Sequence, residues 1–173
     1  MPTNIEIKAR INNVNDIRRK LVKLNASLAV EILQEDTFVN TIKGRLKLRT
    51  FSDGKGELIY YLRNDSAEPK RSDYLVYKTY DPGLLKKVLE FSLGIRGVVK
   101  KSRLLYFVGT TRIHLDEVEN LGSFIEIEVV LKPEQNENEG KAIAEDLMRK
   151  LNIEKSDLVD DAYIDLLEKS SGL

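Results

Sequence analysis

Charged and aliphatic residues alternate along nearly every stretch of this chain that reads as a β-strand. Glu6 and Lys8 stand two apart in NIEIKAR, as do Arg45, Lys47 and Arg49 in RLKLR, and Lys101 and Arg103 in KKSRLL. Arg112 and Asp116 share a parity in TRIHLDEV, and Glu126 and Glu128 share one in FIEIE. Side chains alternate across a strand with period two, so these charged groups share one face of each strand. The other face carries Ile5, Ile7, Leu46, Leu48, Ile113, Leu115, Ile125, Ile127 and Val129. An ordinary half-exposed sheet also alternates, with its charged face meeting water. Here, however, ionisable residues fill successive same-face positions that a solvated face would mix with Thr, Ser and Gln. Their signs also segregate: RLKLR is basic, FIEIE is acidic, and TRIHLD runs from basic to acidic. A sheet closed with this face inward would set a cationic wall against a carboxylate cluster and leave the apolar face for helices to cover.

The remaining patterns supply those helices. Val14, Ile17, Leu21 and Leu24 recur at helical spacing after Asn13, and Asp81-Pro82 opens a second helix that Gly94 ends. A third helix is predicted over Ile143–Leu151 after a polar loop at Gln135–Gly140, and a short terminal one over Leu158–Leu167. The strand segments follow one another and do not alternate with helices, which predicts antiparallel pairing. The expected fold is α+β, a closed eight-stranded antiparallel barrel with helices packed outside, in a single domain over residues 1–173. The NDSAEPKRS stretch is expected to be a mobile loop.

Composition narrows the chemistry. The chain has 28 basic and 28 acidic residues, so no net charge draws it to nucleic acid or a membrane surface. It has no apolar run of spanning length and no hydrophobic stretch near its N-terminus, and is expected to be soluble and cytoplasmic. The absence of cysteine excludes disulfides, thiolate metal sites and thiol nucleophiles, and a single histidine, His114, excludes multi-histidine sites. His114 reads as a hydrogen-bonded structural residue. A charged interior costs several kcal/mol per ion even after relaxation, so a ligand must complete it. Basic side chains match phosphate oxygens, and a carboxylate cluster suits Mg²⁺ or Mn²⁺. A nucleic-acid groove fits less well, because the acidic cluster would repel a phosphate backbone and few exposed aromatics accompany RLKLRTF.

The ordered set Asn4-Ile5-Glu6-Ile7-Lys8, GRLKLR, YYLR ending at Arg63, KKSRLLYFVG, TRIHLDEVENLG and FIEIE resembles the CYTH superfamily, the triphosphate tunnel enzymes. The VVKKSR to LGSF segment looks nearest the class IV adenylyl cyclase branch. The resemblance implies a tunnel that binds a triphosphate together with Mg²⁺ or Mn²⁺. It assigns Glu6, Asp116, Glu126 and Glu128 to the metal, and Lys8, Arg45, Arg49, Arg63, Lys101, Arg103 and Arg112 to phosphate, with Lys47 as an adjunct. Glu6, Lys8, Arg63, Asp116, Glu126 and Glu128 are the implied catalytic set. The family's ExExK marker departs here at its first position, where Asn4 replaces a carboxylate with a neutral amide.

The expected substrate is inorganic triphosphate, ATP or a similar organic triphosphate, and hydrolysis is the favoured reaction because it needs only a water at the terminal phosphorus. Cyclisation of ATP to cAMP and pyrophosphate is the alternative, and a non-catalytic polyphosphate or nucleotide binder is a third. The chain is expected to act as a monomer or homodimer, without nucleic-acid or membrane partners.

Overall fold

Eight antiparallel strands close into a barrel in the order β1-β5-β4-β3-β2-β6-β7-β8 in the computed structural model, which describes residues 3–63 and 68–172 apart from the side chain of Ala29. The strands are β1 (Thr3–Arg10), β2 (Ser27–Val39), β3 (Arg45–Phe51), β4 (Gly56–Arg63), β5 (Lys70–Thr79), β6 (Ile95–Val108), β7 (Thr111–Val118) and β8 (Gly122–Val130). Four helices accompany them: α1 (Val14–Lys23), α2 (Pro82–Leu93), α3 (Glu137–Leu151) and α4 (Tyr163–Ser170). The predicted class and barrel are therefore observed, and among the described residues no helix is long and apolar enough to cross a membrane.

The apolar parity faces outward, as expected. Ile5, Ile7, Ile113, Leu115, Ile125, Ile127 and Val129 join Ile17 and Leu21 of α1 and Ala144, Leu147, Met148 and Leu151 of α3 in one buried cluster. On the opposite side α2 sets Leu85 and Leu89 against Val39, Leu46, Leu48 and Leu58. Gly140 lets α3 approach β1 closely, because a Cβ there would lie 2.6 Å from Ile5. The charged parity is left facing the lumen.

Three boundaries differ from the sequence reading. Helix α3 begins at Glu137, inside the predicted loop, because the Asn136 side chain accepts from Asn138 and Glu139 while Glu139 accepts from the Asn136 N–H. This capping box starts a helix whose first residues carry no apolar periodicity to reveal it. The terminal helix is displaced: Leu158 and Val159 lie extended, with Val159 N–H donating to the Lys8 carbonyl at 2.9 Å, and α4 starts only at Tyr163. Strand β5 begins at Lys70, since Lys70, Arg71 and Ser72 pair with Glu6, Ile5 and Asn4 of β1. Of the NDSAEPKRS segment, positions 64–67 lie outside the described residues.

Candidate functional site

The barrel lumen is a cavity of about 510 Å³. Eight basic and five acidic side chains line it among the described residues, so the lumen carries a positive excess that an anion would balance. Of the sequence-predicted residues, Glu6, Lys8, Lys47, Arg49, Arg63, Lys101, Arg103, Arg112, Glu126 and Glu128 all line this cavity. Their convergence follows from register: β1 and β8 set Glu6 opposite Glu128 and Lys8 opposite Glu126, while β7 sets Arg112 opposite Glu128 and His114 opposite Glu126.

Two predicted residues are placed differently. Arg45 does not line the cavity; its guanidinium donates to Asp165 of α4 at 3.0 Å, tying that helix to the barrel end. Asp116 is fully buried beneath the lumen and accepts from Arg103 Nε and Nη2 at 2.7 and 2.6 Å, from Lys101 Nζ at 3.3 Å and from the Tyr163 hydroxyl at 2.9 Å. Its oxygens hold two cations of the lumen in place, while among the described residues His114, Glu126 and Glu128 form the group whose ligand atoms lie close enough to share one ion.

A second carboxylate, Asp36, does the same on the neighbouring wall. It accepts from Arg49 Nε at 2.8 Å and Nη2 at 3.1 Å, and from Lys47 Nζ at 2.8 Å. Burial alone would raise its pKa, but Arg49, Lys47 and Lys101 hold the carboxyl well below the usual range. Asp116 is likewise held low, against its burial, by Arg103 and Lys101. Each buried aspartate thus fixes a lysine–arginine pair, Lys47 with Arg49 and Lys101 with Arg103. The cations still feel their confinement: burial, with Arg49 and Lys101 close by, pushes Lys47 down to about 7 although Asp36 opposes it. Burial similarly pushes Lys8 down to about 8 against the attraction of Glu126.

The opposite wall gathers acids. His114, Glu126 and Glu128 present ligand atoms all within 4.8 Å of one another. His114 Nδ1 is buried and has no hydrogen-bond partner, lying 3.7 Å from Glu126 and 3.6 Å from Glu128. Its pKa is lowered by burial and by Arg103, against the pull of Glu128 and Glu126, which favours the neutral imidazole that a cation would bind. Glu6 joins from β1, its pKa raised first by burial and then by the adjacent Glu128. Carboxylates facing one another and an unpartnered imidazole nitrogen are the donor set a small divalent cation would satisfy. Asn4 lies further along the same strand, also buried, with its amide oxygen unpartnered.

Helix α4 and the segment before it close one end of the lumen. Tyr163 sets its ring 4.0 Å from Lys8 Nζ and packs edge-on against Phe124. Backbone carbonyls of the preceding turn also receive cations: Lys8 Nζ donates to Asp161 O at 3.0 Å, and Lys70 Nζ and Arg63 Nη2 donate to Asp160 O at 3.0 and 3.3 Å. Arg96 fastens the helix from outside through Asp165 and Glu168.

Sequence reasoning missed Asp36, His114 and Tyr163 as site residues. Asp36 was within reach of a period-two reading, since Gln34, Asp36 and Phe38 share its face, but EILQED is polar on both faces and obscures the parity. His114 shares parity with Asp116, and its meeting with Glu126 and Glu128 depends on strand order. Tyr163 arrives through a tertiary contact that no local pattern encodes.

Comparison with known proteins agrees with this geometry. The CYTH domain model matches residues 2–163. A Methanocaldococcus jannaschii protein, MJ0240, whose name proposes an adenylate cyclase, is 26% identical over 174 residues, covering 94% of this chain and 97% of that protein. The structure of PH1012 from Pyrococcus horikoshii OT3 superposes with a TM-score of 0.86 at 30% identity, over 94% of this chain and 98% of that one. HpAC1 from Hippeastrum, a proposed adenylyl cyclase described as having a dominant triphosphatase activity, shares the fold with a TM-score of 0.64 at 16% identity, over 99% of this chain and 96% of that one. With its eight-stranded tunnel and the motif order it threads through that tunnel, the chain belongs to the CYTH domain family.

Proposed function

We propose that the protein binds a triphosphate inside the barrel and hydrolyses it with Mg²⁺ or Mn²⁺. The observation that carries this reading is the division of one lumen into a wall of fixed cations and a facing group of carboxylates with an unpartnered imidazole. Lys47, Arg49, Lys101 and Arg103, steadied by Asp36 and Asp116, are preset for phosphate oxygens, so little reorganisation is needed as charge shifts in the transition state. Lys8, Arg63 and Arg112 add cations from the remaining strands. Glu6, Glu126, Glu128 and His114 would hold the metal, whose chemistry when bound is to neutralise phosphate charge and make a water more acidic. Glu126 also accepts from Arg103 at 2.6 Å, linking the two walls. Helix α4 limits solvent entry from its end of the tunnel, favouring these electrostatic contacts.

The test is phosphate release from inorganic triphosphate and from ATP, with Mg²⁺ and with Mn²⁺, alongside cAMP formation from ATP. Metal-dependent phosphate release is the expected result; folded protein silent in every arm would sink the enzyme reading and leave a binder. Formation of cAMP would instead favour the cyclase reading, which has its own support in the name of MJ0240.

Two further outcomes are expected at this site. Because Lys47 sits near 7 in the ligand-free lumen and a bound polyanion raises it, tripolyphosphate binding at pH 8 should take up protons. Calorimetry in buffers of different ionisation enthalpy reads this directly, and proton release would contradict it. Second, Asn4→Glu adds a carboxylate on the inward face of β1, two residues from Glu6, and should lower the Mg²⁺ concentration that gives half-maximal activity. An unchanged metal titration would place Asn4 beyond the ion's reach.

A further inference from the structure

One amine of the lumen is placed for more than holding a phosphate. Lys47 of β3 sets Nζ 2.8 Å from Asp36 Oδ2, and Asp36 is itself gripped by Arg49 Nε at 2.8 Å and Nη2 at 3.1 Å. An amine within hydrogen-bond reach of a carboxylate, with that carboxylate oriented by a third group, is the arrangement of an activated nucleophile. The Phe38 and Tyr61 rings lie 5.5 and 5.7 Å from Nζ, so part of its surroundings is apolar. Burial, with Arg49 and Lys101 close by, pushes the ammonium down to about 7 against the pull of Asp36, and a large share of it is then uncharged amine at neutral pH. Two other buried lysines of the lumen are less available. Lys8 Nζ donates to the Asp161 carbonyl and lies 3.5 Å from Glu126, with its side chain 4% exposed. Lys101 is committed to Asp116, with its side chain 2% exposed. The Lys47 side chain keeps 14% exposure, faces the cavity, and makes its one hydrogen bond, among the described residues, to Asp36.

The neighbours of this amine decide what reaches it. Arg49, Lys101 and Arg103 line the same lumen, so small phosphates concentrate there, while a neutral electrophile gains nothing by entering. An acyl phosphate joins both requirements: its phosphate meets the guanidinium groups, and its carbonyl carbon follows by one oxygen, beside Nζ. We propose that Lys47 is an acylation site that takes its acyl group from a small acyl phosphate, and that the modification shuts the lumen to phosphate. The uncharged Nζ adds to the carbonyl carbon and forms the N–C bond. The C–O bond to phosphate breaks, inorganic phosphate leaves with the electron pair, and the Nζ proton passes to Asp36 and on to solvent. The product is a neutral amide, so the lumen loses one cation and Asp36 keeps only Arg49 of the two that it fixed. The proposal goes beyond the hydrolase reading and holds whether or not the tunnel turns a triphosphate over.

The test incubates the full chain with acetyl phosphate at pH 8 and follows each lysine by peptide mass spectrometry, with exposed Lys55 as the reference amine. Lys47 should be acetylated at least tenfold faster than Lys55. Tripolyphosphate should slow Lys47 at least tenfold and leave Lys55 unchanged. With p-nitrophenyl acetate, which carries the acetyl group without the phosphate, most of the preference for Lys47 should disappear. Protein acetylated at Lys47, its folding checked by melting temperature, should bind tripolyphosphate at least tenfold more weakly. Labelling of Lys47 no faster than Lys55 would overturn the site, and this comparison needs no variant. An equal preference under p-nitrophenyl acetate, or no protection by tripolyphosphate, would overturn the phosphate-borne donor. Unchanged tripolyphosphate binding after acetylation would overturn the shut lumen. A protein silent in the phosphate-release assays would sink the hydrolase reading and leave each of these outcomes as it stands.

Discussion

Arg103→Met should destabilise the protein by about 3–5 kcal/mol, the cost typical of breaking a buried ion pair from one side. Arg103 is almost wholly buried and spans two carboxylates, donating to Asp116 at 2.7 and 2.6 Å and to Glu126 at 2.6 Å. Methionine fills much of the volume but leaves Asp116 with only Lys101 and the Tyr163 hydroxyl, in a place where water cannot replace the lost guanidinium. The carboxyl would no longer be held so far below its ordinary pKa, so the variant should also unfold at higher pH on acidification. The sign follows from linkage: a carboxylate with a depressed folded pKa contributes stability above its unfolded pKa and loses it as pH falls, and a smaller depression means a smaller contribution. Urea titration at neutral pH and an acid titration together measure both effects. Adding Asp116→Leu to the variant should recover part of the lost stability by removing the stranded charge, without restoring tripolyphosphate binding. A single variant with an unchanged urea midpoint would show that Arg103 is not the clamp described.

Glu128→Gln should separate activity from stability. Glu128 faces the lumen, accepts from Arg112 at 2.9 Å, and lies next to Glu6 and His114. Arg112 keeps partial solvent access, so neutralising its partner leaves no stranded buried cation, and the melting temperature should change little. Metal-dependent phosphate release should fall about 100-fold, in the range found when one preorganised electrostatic group is removed from an active site. The Mg²⁺ requirement should rise at the same time, because an amide offers the ion a dipole in place of a charge. The Glu6 carboxyl, freed from a neighbouring negative charge, should return towards its ordinary pKa. Full activity with an unchanged metal titration would remove Glu128 from the proposed metal group.

The contrast between these variants mirrors what the chain displays locally and what it does not. The barrel was legible because period-two alternation sorts Glu6 and Lys8 from Ile5 and Ile7 without reference to any neighbour. The same parity placed Lys47, Arg49, Lys101 and Arg103 in the lumen before their partners were known. Parity alone, however, could not give depth along the strand. Asp116 shares a face with Arg112 but sits four residues deeper, against Phe124 and Tyr163, where it meets cations. Arg45 likewise shares a face with Lys47, yet at the barrel end it meets Asp165, because α4 docks there. The position of α4 was illegible in turn: Leu158 and Val159 look helical by spacing, and what extends them is the backbone of β1, a partner about 150 positions away in the sequence.

That long reach bears on how the molecule assembles. Strand β1 pairs with β5 and β8, neither of which is its neighbour in the sequence, and the Lys8 carbonyl is then met by Val159. During synthesis the first strand must therefore wait, with an open hydrogen-bonding edge, until most of the chain has emerged. Contacts of such sequence separation slow folding, since the entropy of closing the loop is lost before the pairing rewards it. Glu6 meets Glu128, and Lys8 meets Glu126, only as that last seam closes, so the charged lumen is completed in the final step of folding.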